Sequence, residues 1–544
     1  MSERRLLLSA IAAFAILILL ELPGSPLIEP DEARYAEIPR EMLAAHDLVT
    51  PRLDGMRYYE KPPLLYWANA ASFTLLGETP FAARLAARIS AFGTAALIAV
   101  SLGGELGLWA ALILLSAPLS FVLARYNVTD GVLTFAMTLT LVAMRAFLRR
   151  RERELPASGA LALLGLGAGL AVLAKGLIGI VLPGLVFLIW IAILGEWRRL
   201  RELLISPAPI VFAFVAVPWF VLMERANPGF SQVFFIREHL QRFATNEAKR
   251  EAPAYFFVLA FIGGFLPWTL PFGAWIAWMV GARVRTRAAF YEHRDELLLT
   301  LWFLVIVVFF SASRSKLLPY ILPAFPAAAA LAALAIVRGV PGRGALLGYA
   351  VVTTVALGGG LAFALPKGVL APYHATAFAV AGIAALVAGA WLAWWISARD
   401  ARRALIAAAA GWGGLYLALI LALPRIASEV GTESLARAAA GVPSARIVAY
   451  QNYPQGFAWT LRHPIPVADF TGELATDGAR PPELFWSKDD FWRRWHAGEP
   501  MAVVLRRRAL ADWRAQGDSS PVTVASNQTY LVVTNVPRTP AAIR

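Results

Sequence analysis

Long apolar runs separated by short polar stretches set the pattern of this chain. Thirteen runs lie near residues 6–22, 82–102, 107–124, 130–148, 158–174, 177–195, 207–223, 255–280, 297–312, 318–337, 345–365, 374–397 and 403–423. Each approaches the roughly 20 residues that a helix needs to cross a bilayer. Runs this long and unbroken predict helices rather than the alternating strands of a barrel. The polar connections add an orientation. With Met1 inside, "RRRERE" (149–154), "EWRRLRE" (196–202), "RVRTR" (283–287), "RGVPGR" (338–343) and "ARDARR" (398–403) all fall on the inner side. Lys and Arg favour that side, so their agreement supports both the span count and the orientation. The outer side then receives segments 24–80 and 224–253, the turn "SASRSKLLP" (311–319) and the tail.

After residue 423 the period changes. "RIVAY" (446–450), "MAVVLRR" (501–507) and "TYLVVTN" (529–535) read as strands between polar and helical stretches. The chain therefore divides into a membrane region, 1–423, and an outer α/β domain, 424–544. Arg4 and Arg5 precede the first run and no A-x-A site follows it, which predicts an uncleaved first span.

Composition agrees with this picture. Only 16% of the 544 residues are charged and 58% are hydrophobic, against about 25% charged in soluble chains. The mean hydropathy is +0.60. Much of the +14 net charge lies in the short inner loops, so it points to a membrane and not to nucleic acid. With no cysteine, disulfides and thiolate metal sites are excluded.

Candidate chemistry gathers in the outer segments. "LIEPDEARYAEIPREM" (27–42) leaves the first span with Glu29, Asp31, Glu32, Arg34, Tyr35, Glu37, Arg40 and Glu41, and reads as a surface built to hold something charged. A helix entered near Pro30 puts Asp31, Arg34, Tyr35 and Ile38 on one face. Asp31 then lies near the helix N-terminus, where the dipole favours its ionised form. Such a carboxylate can take a proton, hold a metal or orient a cationic group. An interfacial helix with ordinary first-turn acids is the plainer alternative.

"MRYYEKPPLLYW" (56–67) places Tyr58, Glu60 and Lys61 before two prolines that hold the backbone extended. Lys61 suits a lipid phosphate, or simply snorkels to the interface. Asp130, in "ARYNVTDGVLTF" (124–135), opens a span either as an N-cap or as a working carboxylate. "FFIREHLQRF" (234–243) carries His239, which with Glu60 could form a nitrogen/oxygen pair for Zn or Mg, and Arg242, a candidate phosphate clamp. "SRSKLLPYILP" (313–323) sets Lys316 and Tyr320 four apart. Lys61, Arg242 and Lys316 suit a phosphate or pyrophosphate-like group. Scattered interfacial cations and a surface histidine are the alternatives. "GLGAG" (165–169), inside a span, reads as small-residue helix packing, and the sequons at Asn127 and Asn527 as chance matches. No nucleotide loop is present, so no nucleotide cofactor is expected.

"EPDEARYAEIPREM", "YYEKPPLLYW", "REHLQRF" and "SKLLPYILPAFP" together resemble the bacterial lipid A 4-amino-4-deoxy-L-arabinose transferases, within the protein mannosyltransferase-like GT-C glycosyltransferases. The resemblance covers most of the chain. It implies a polytopic GT-C membrane fold of about thirteen helices with a periplasmic C-terminal α/β domain, in the bacterial inner membrane with a cytoplasmic N-terminus. It implies sugar transfer from a polyprenyl phosphate donor to lipid A or another glycolipid, with inversion at the sugar carbon. Asp31 and Asp130 match the superfamily's two acidic residues. Lys61 and Arg242 match carrier-phosphate ligands, and Glu60 and His239 a divalent-metal pair. Tyr35, Tyr58 and Tyr320 match the sugar cavity, with Arg34 and Lys316 in the same segments. Glu473 matches a tail glutamate facing the sugar. Ala33 stands where close relatives carry glycine. Transfer of a uronic acid or hexose to another acceptor is the rival within enzymes, and a lipid-linked sugar flippase the rival of another class.

Overall fold

The computed structural model describes residues 2–241, 252–281, 286–339, 342–367, 375–470, 481–516 and 521–536. Among these, nine helices are long and apolar enough to cross a membrane, and two bent pairs bring the number to eleven. The helices Glu3–Leu19 and Ile178–Leu194, each 17 residues long, occupy the two remaining expected spans. The third run bends by 70° between Gly104–Ser116 and Pro118–Ala124, where Pro118 removes a backbone donor. The pair Phe256–Gly264 and Thr269–Gly281 turns by 119°. It nevertheless passes from one face to the other. Phe257 packs on Phe310, near the end of helix Arg294–Ala312, whereas Trp278 packs on His293, just before that helix begins.

The described arginines of the basic loops meet on one face. Arg151 pairs with Glu202 at 3.2 Å, Arg149 with Asp295 at 3.5 Å, Arg338 with Glu296 at 3.1 Å and Arg402 with Glu105 at 2.7 Å. Arg287 donates to the Leu194 carbonyl at 3.1 Å. These contacts join loops far apart in sequence, as the charge pattern requires.

Burial separates centre from rim. The apolar stretch of Leu318–Val337 is 83% buried and that of Thr129–Glu152 72% buried, so these helices form the centre. Pro207–Ala226 and Arg343–Ala364, each 22% buried, lie at the rim with bare apolar surface suited to lipid. Small residues allow the close approaches. A Cβ on Gly165 would strike the Ala208 carbonyl, and one on Gly167 would lie 2.7 Å from the Thr140 nitrogen. "GLGAG" is thus a packing stripe. Both sequon asparagines, Asn127 and Asn527, are buried.

The last spanning helix, Ala401–Val430, continues past Pro424 before the chain enters the tail. A hairpin, β1 (Arg52–Leu53) and β2 (Met56–Arg57), lies in the first loop. The tail builds a six-stranded sheet from β3 (Arg446–Tyr450), β4 (Val467–Ala468), β5 (Phe485–Trp486), β6 (Met501–Arg506), β7 (Val522–Ser526) and β8 (Tyr530–Thr534). Their order is β5-β4-β3-β6-β8-β7. The pairings from β5 to β6 are parallel, and those of β8 with β6 and β7 are antiparallel. Side chains alternate between two cores, as a strand's period of two dictates. Met501, Val503 and Leu505 pack with Phe491, Trp492, Trp495 and Trp513 on one face. Ala502, Val504 and Val532 join the core that runs on into the membrane region.

Candidate active site

The charges of segment 27–42 sort by what they touch. Glu32 is fully buried, and its carboxylate accepts from Arg84 at 2.9 and 2.7 Å and from the Asn127 backbone N–H at 2.9 Å. Arg84 also holds Glu21 at 2.5 Å, and Arg88 pairs with the same carboxylate. Glu29 accepts from Thr432 Oγ1 and the Gly456 N–H, both at 2.6 Å, and from the Gln455 N–H at 3.1 Å. Arg40 pairs with Glu37 at 2.5 Å and donates to the Arg462 carbonyl at 2.9 Å. Glu41 accepts from the N–H groups of Asp54 and Gly55 at 2.6 and 2.9 Å, while Asp54 accepts from Ile465 N–H at 3.0 Å. These groups weld the loop helix, Asp31–Ala44, to the bundle below and the tail above. They correct the expectation that the whole stretch is a surface for a charged ligand. Their spacing is helical, but their partners are protein.

Asp31 differs. Its side chain is 39% exposed and lies 3.6 Å from Arg34 Nη1. The buried Tyr35 phenol feels Arg34, Asp31, Glu60 and Asp130, so these groups surround it. Burial pushes the pKa values of Tyr35, Tyr58 and Tyr66 well above the usual phenol range, so all three remain O–H donors near neutrality. The Tyr58 and Tyr66 hydroxyls have no hydrogen-bond partner among the described residues. Buried hydroxyls without partners cost about 1–3 kcal/mol each, so a polar ligand reaching them would recover that cost.

Asp130 lies in the first turn of Thr129–Glu152, but its side chain caps nothing there. Instead Lys175 Nζ lies 2.5 Å from Asp130 Oδ1, with the two side chains only 10% and 8% exposed. The same ammonium sits 4.4 Å from the centre of the Tyr320 ring. Lys175 ends its own helix, Ser158–Lys175, so cation, carboxylate and ring gather at the membrane region's tail-side end.

Glu60 and Lys61 are half-buried, and Lys61 Nζ lies 3.1 Å from the Glu60 carbonyl. Lys316 is buried and donates to the Ser313 carbonyl, bracing its turn. Arg242, Glu473 and the His239 side chain lie outside the described residues, and with them the Glu60–His239 metal pair. Among the described residues no three His, Asp or Glu side chains converge as metal ligands. The structure thus draws Asp31, Arg34, Tyr35, Tyr58, Glu60, Asp130 and Tyr320 into one neighbourhood and adds Lys175 and Tyr66. Lys175 had a signal in the sequence, being a lone cation in a tight turn on the face opposite the arginine clusters. Tyr66 had none, standing in an apolar helix. Ala33 packs with Ala36, Phe73, Ala82 and Ala83, away from the tyrosines.

Beside the site, an apolar groove of about 510 Å³ opens between the loop segment and helix Pro207–Ala226, lined by Leu43, Val49, Trp67, Phe214, Trp219 and Leu222. Trp67 and Trp219 bond the carbonyls of Leu48 and Val49, at 2.8 and 3.0 Å, which fixes the loop against that helix. A charged site thus adjoins an apolar channel.

Comparison with known proteins identifies the arrangement. The crystal structure of ArnT from Cupriavidus metallidurans bound to undecaprenyl phosphate superposes with a TM-score of 0.82, at 28% identity, over 97% of this chain and 98% of that one. The chain has an ArnT-like, GT-C-type membrane fold. The dolichyl-phosphate-mannose-protein mannosyltransferase family profile matches residues 5–234. The undecaprenyl phosphate-alpha-4-amino-4-deoxy-L-arabinose arabinosyl transferase 1 of Sodalis glossinidius is 37% identical over 331 residues, 59% of this chain and 57% of its own length. The corresponding Aeromonas salmonicida protein is 36% identical over 338 residues. The match therefore spans less than two thirds of these curated relatives. An Archaeoglobus fulgidus oligosaccharyltransferase shares the fold at a TM-score of 0.50 and 12% identity.

Proposed function

We propose that this ArnT-like chain transfers 4-amino-4-deoxy-L-arabinose from undecaprenyl phosphate to lipid A, on the periplasmic side of the bacterial inner membrane. One observation carries the reading. A partly exposed carboxylate, Asp31, stands against Arg34 beside the buried Asp130–Lys175 pair, at the tail-side end of an ArnT-like bundle. The arginine-rich face is then cytoplasmic and the tail periplasmic, by the bias of positive charge.

The donor enters from lipid along the apolar groove, its sugar reaching the buried tyrosines. The bond between the sugar carbon and the phosphate oxygen breaks, and its electron pair leaves with the phosphate. Arg34 and Lys61 stabilise that growing charge. The acceptor oxygen forms the new bond from the opposite side. A hydroxyl acceptor gives its proton to Asp31, whereas a phosphate acceptor arrives ionised and Asp31 only positions it. Asp130 holds Lys175 in place against Tyr320.

A flippase reading fits less well, since transporters bury ionisable groups near mid-membrane in broken helices. Here Asp130 and Lys175 stand at helix ends. The test is transfer of labelled aminoarabinose from undecaprenyl phosphate to lipid A by purified protein in nanodiscs, with a labelled hexose donor alongside. Transfer of the hexose alone moves the chain to another sugar, and carrier translocation without transfer makes it a flippase.

A further inference from the structure

The arginine-rich face, opposite the active site, carries a second groove. About 850 Å³ in volume, it runs between helices Pro80–Leu102, Thr129–Glu152 and Ser158–Lys175. This lies within the roughly 300–1,000 Å³ of ordinary ligand clefts. Its wall is apolar and uncovered, with Val100 84% exposed, Leu163 48% and Leu155 43%. Its rim carries Arg145, Arg149, Arg150 and Arg153. Asp295 answers Arg145 at 2.8 Å and Arg149 at 3.5 Å. Among the described residues, Arg150 and Arg153 form no ion pair; Arg150 donates to the Pro156 carbonyl at 2.6 Å, which holds the turn. Of the nearby acids, Glu152 is engaged by Arg294 at 2.5 Å, and Glu154 lies on the turn outside the groove. Positive charge is left in excess at the rim.

We propose that this groove binds an anionic glycerophospholipid of the leaflet on the arginine-rich face. Its phosphate lies among Arg149, Arg150 and Arg153, and an acyl chain covers Val100, Val142 and Leu163. The two halves of the groove require one amphiphile. A soluble anion leaves the apolar wall bare, and an uncharged lipid leaves the arginines unanswered. A zwitterionic headgroup brings an ammonium to a rim already in positive excess. The spacing suits a lipid, because Val142 lies eight residues before Arg150, about 12 Å deeper along the helix. Basic pockets between membrane helices at the cytoplasmic surface commonly take such headgroups.

The test is native mass spectrometry of the whole protein from nanodiscs. These contain equal phosphatidylglycerol and phosphatidylethanolamine with the same acyl chains. Wild-type protein retains the anionic lipid preferentially. Arg149→Gln with Arg153→Gln removes two rim charges and spares the Arg150 turn contact; retention falls about ten- to thirty-fold. Gly159→Phe blocks the groove without changing charge. Gly159 lines it, and a Cβ there meets nothing within 4 Å, so the new side chain starts into open space, and the variant's folding is checked by its unfolding midpoint. That variant also loses the lipid. Equal retention of both lipids by wild type, or undiminished retention in both variants, overturns the proposal. None of this depends on the activity proposed above.

Discussion

Removing one partner of the Asp130–Lys175 pair separates what holds the site together from what works in it. The two groups are 2.5 Å apart, and neither side chain is more than 10% exposed. Lys175→Gln leaves an uncompensated buried carboxylate, and Asp130→Asn an uncompensated ammonium. Each single change is expected to cost about 3–5 kcal/mol, the usual range for breaking a buried pair from one side. The double variant contains no unpaired charge and keeps two groups able to hydrogen-bond. It should be more stable than either single variant, which requires a coupling larger than each single cost, about 5 kcal/mol or more. The cation over Tyr320, worth about 0.5–2 kcal/mol, is lost with either lysine change and does not enter the coupling. SDS-induced unfolding in mixed micelles, followed by tryptophan fluorescence, measures stability for all four proteins, and sugar transfer is measured on the same preparations. Stability that recovers without transfer shows that the charges themselves serve the reaction. Recovery of both reduces the pair to scaffolding. Strict additivity, within about 0.5 kcal/mol, would falsify the contact itself.

Asp31→Asn keeps the shape but removes the charge, and should slow transfer to a hydroxyl acceptor about 10²–10⁴-fold with little change in donor affinity; unchanged turnover removes Asp31 from the chemistry. Lys61→Ala should weaken donor binding by about 1.5–3 kcal/mol, read by titration with the polyprenyl phosphate, and unaltered binding excludes it as a phosphate ligand. Metal content of purified Glu60→Ala should fall below that of wild type by elemental analysis, and equal content excludes Glu60 as a ligand. Burial, reinforced by Glu37, pushes the Glu41 carboxyl up to about 7 from its ordinary 4.5. The folded protein therefore binds the extra proton between those values, so the contact of the loop helix with the Asp54–Gly55 turn is firmest below about pH 4.5 and loosens as the pH rises to about 7. Protease sensitivity of the first loop should rise over that window and become flat in Glu41→Gln; a flat wild-type profile refutes the assignment.

Much of this architecture was legible in one dimension, because its causes are local or follow from the membrane. A span must be apolar for about 20 residues whatever its neighbours are, so the run lengths announce the helices. The arginine clusters obey a field that acts on each loop separately, and the described arginines do meet on one face. The strands at 446–450, 501–506 and 530–534 follow from alternation and β-branched residues. Local rules also pointed to Asp31 and Tyr35 as sharing a helix face. What spacing could not supply was partnership. Glu32 and Asp31 are adjacent and chemically alike. One is locked by Arg84 and Asn127, 52 and 95 residues away, and the other is left partly open beside Arg34. Glu29 and Arg40 look like ligand-binding charges until the tail, some 400 residues later, is seen to bond both. Asp130 read equally well as a helix cap until Lys175 reached it from another helix. A charge acquires its role from whatever neutralises it, and in a buried site that partner is chosen by packing across the whole chain.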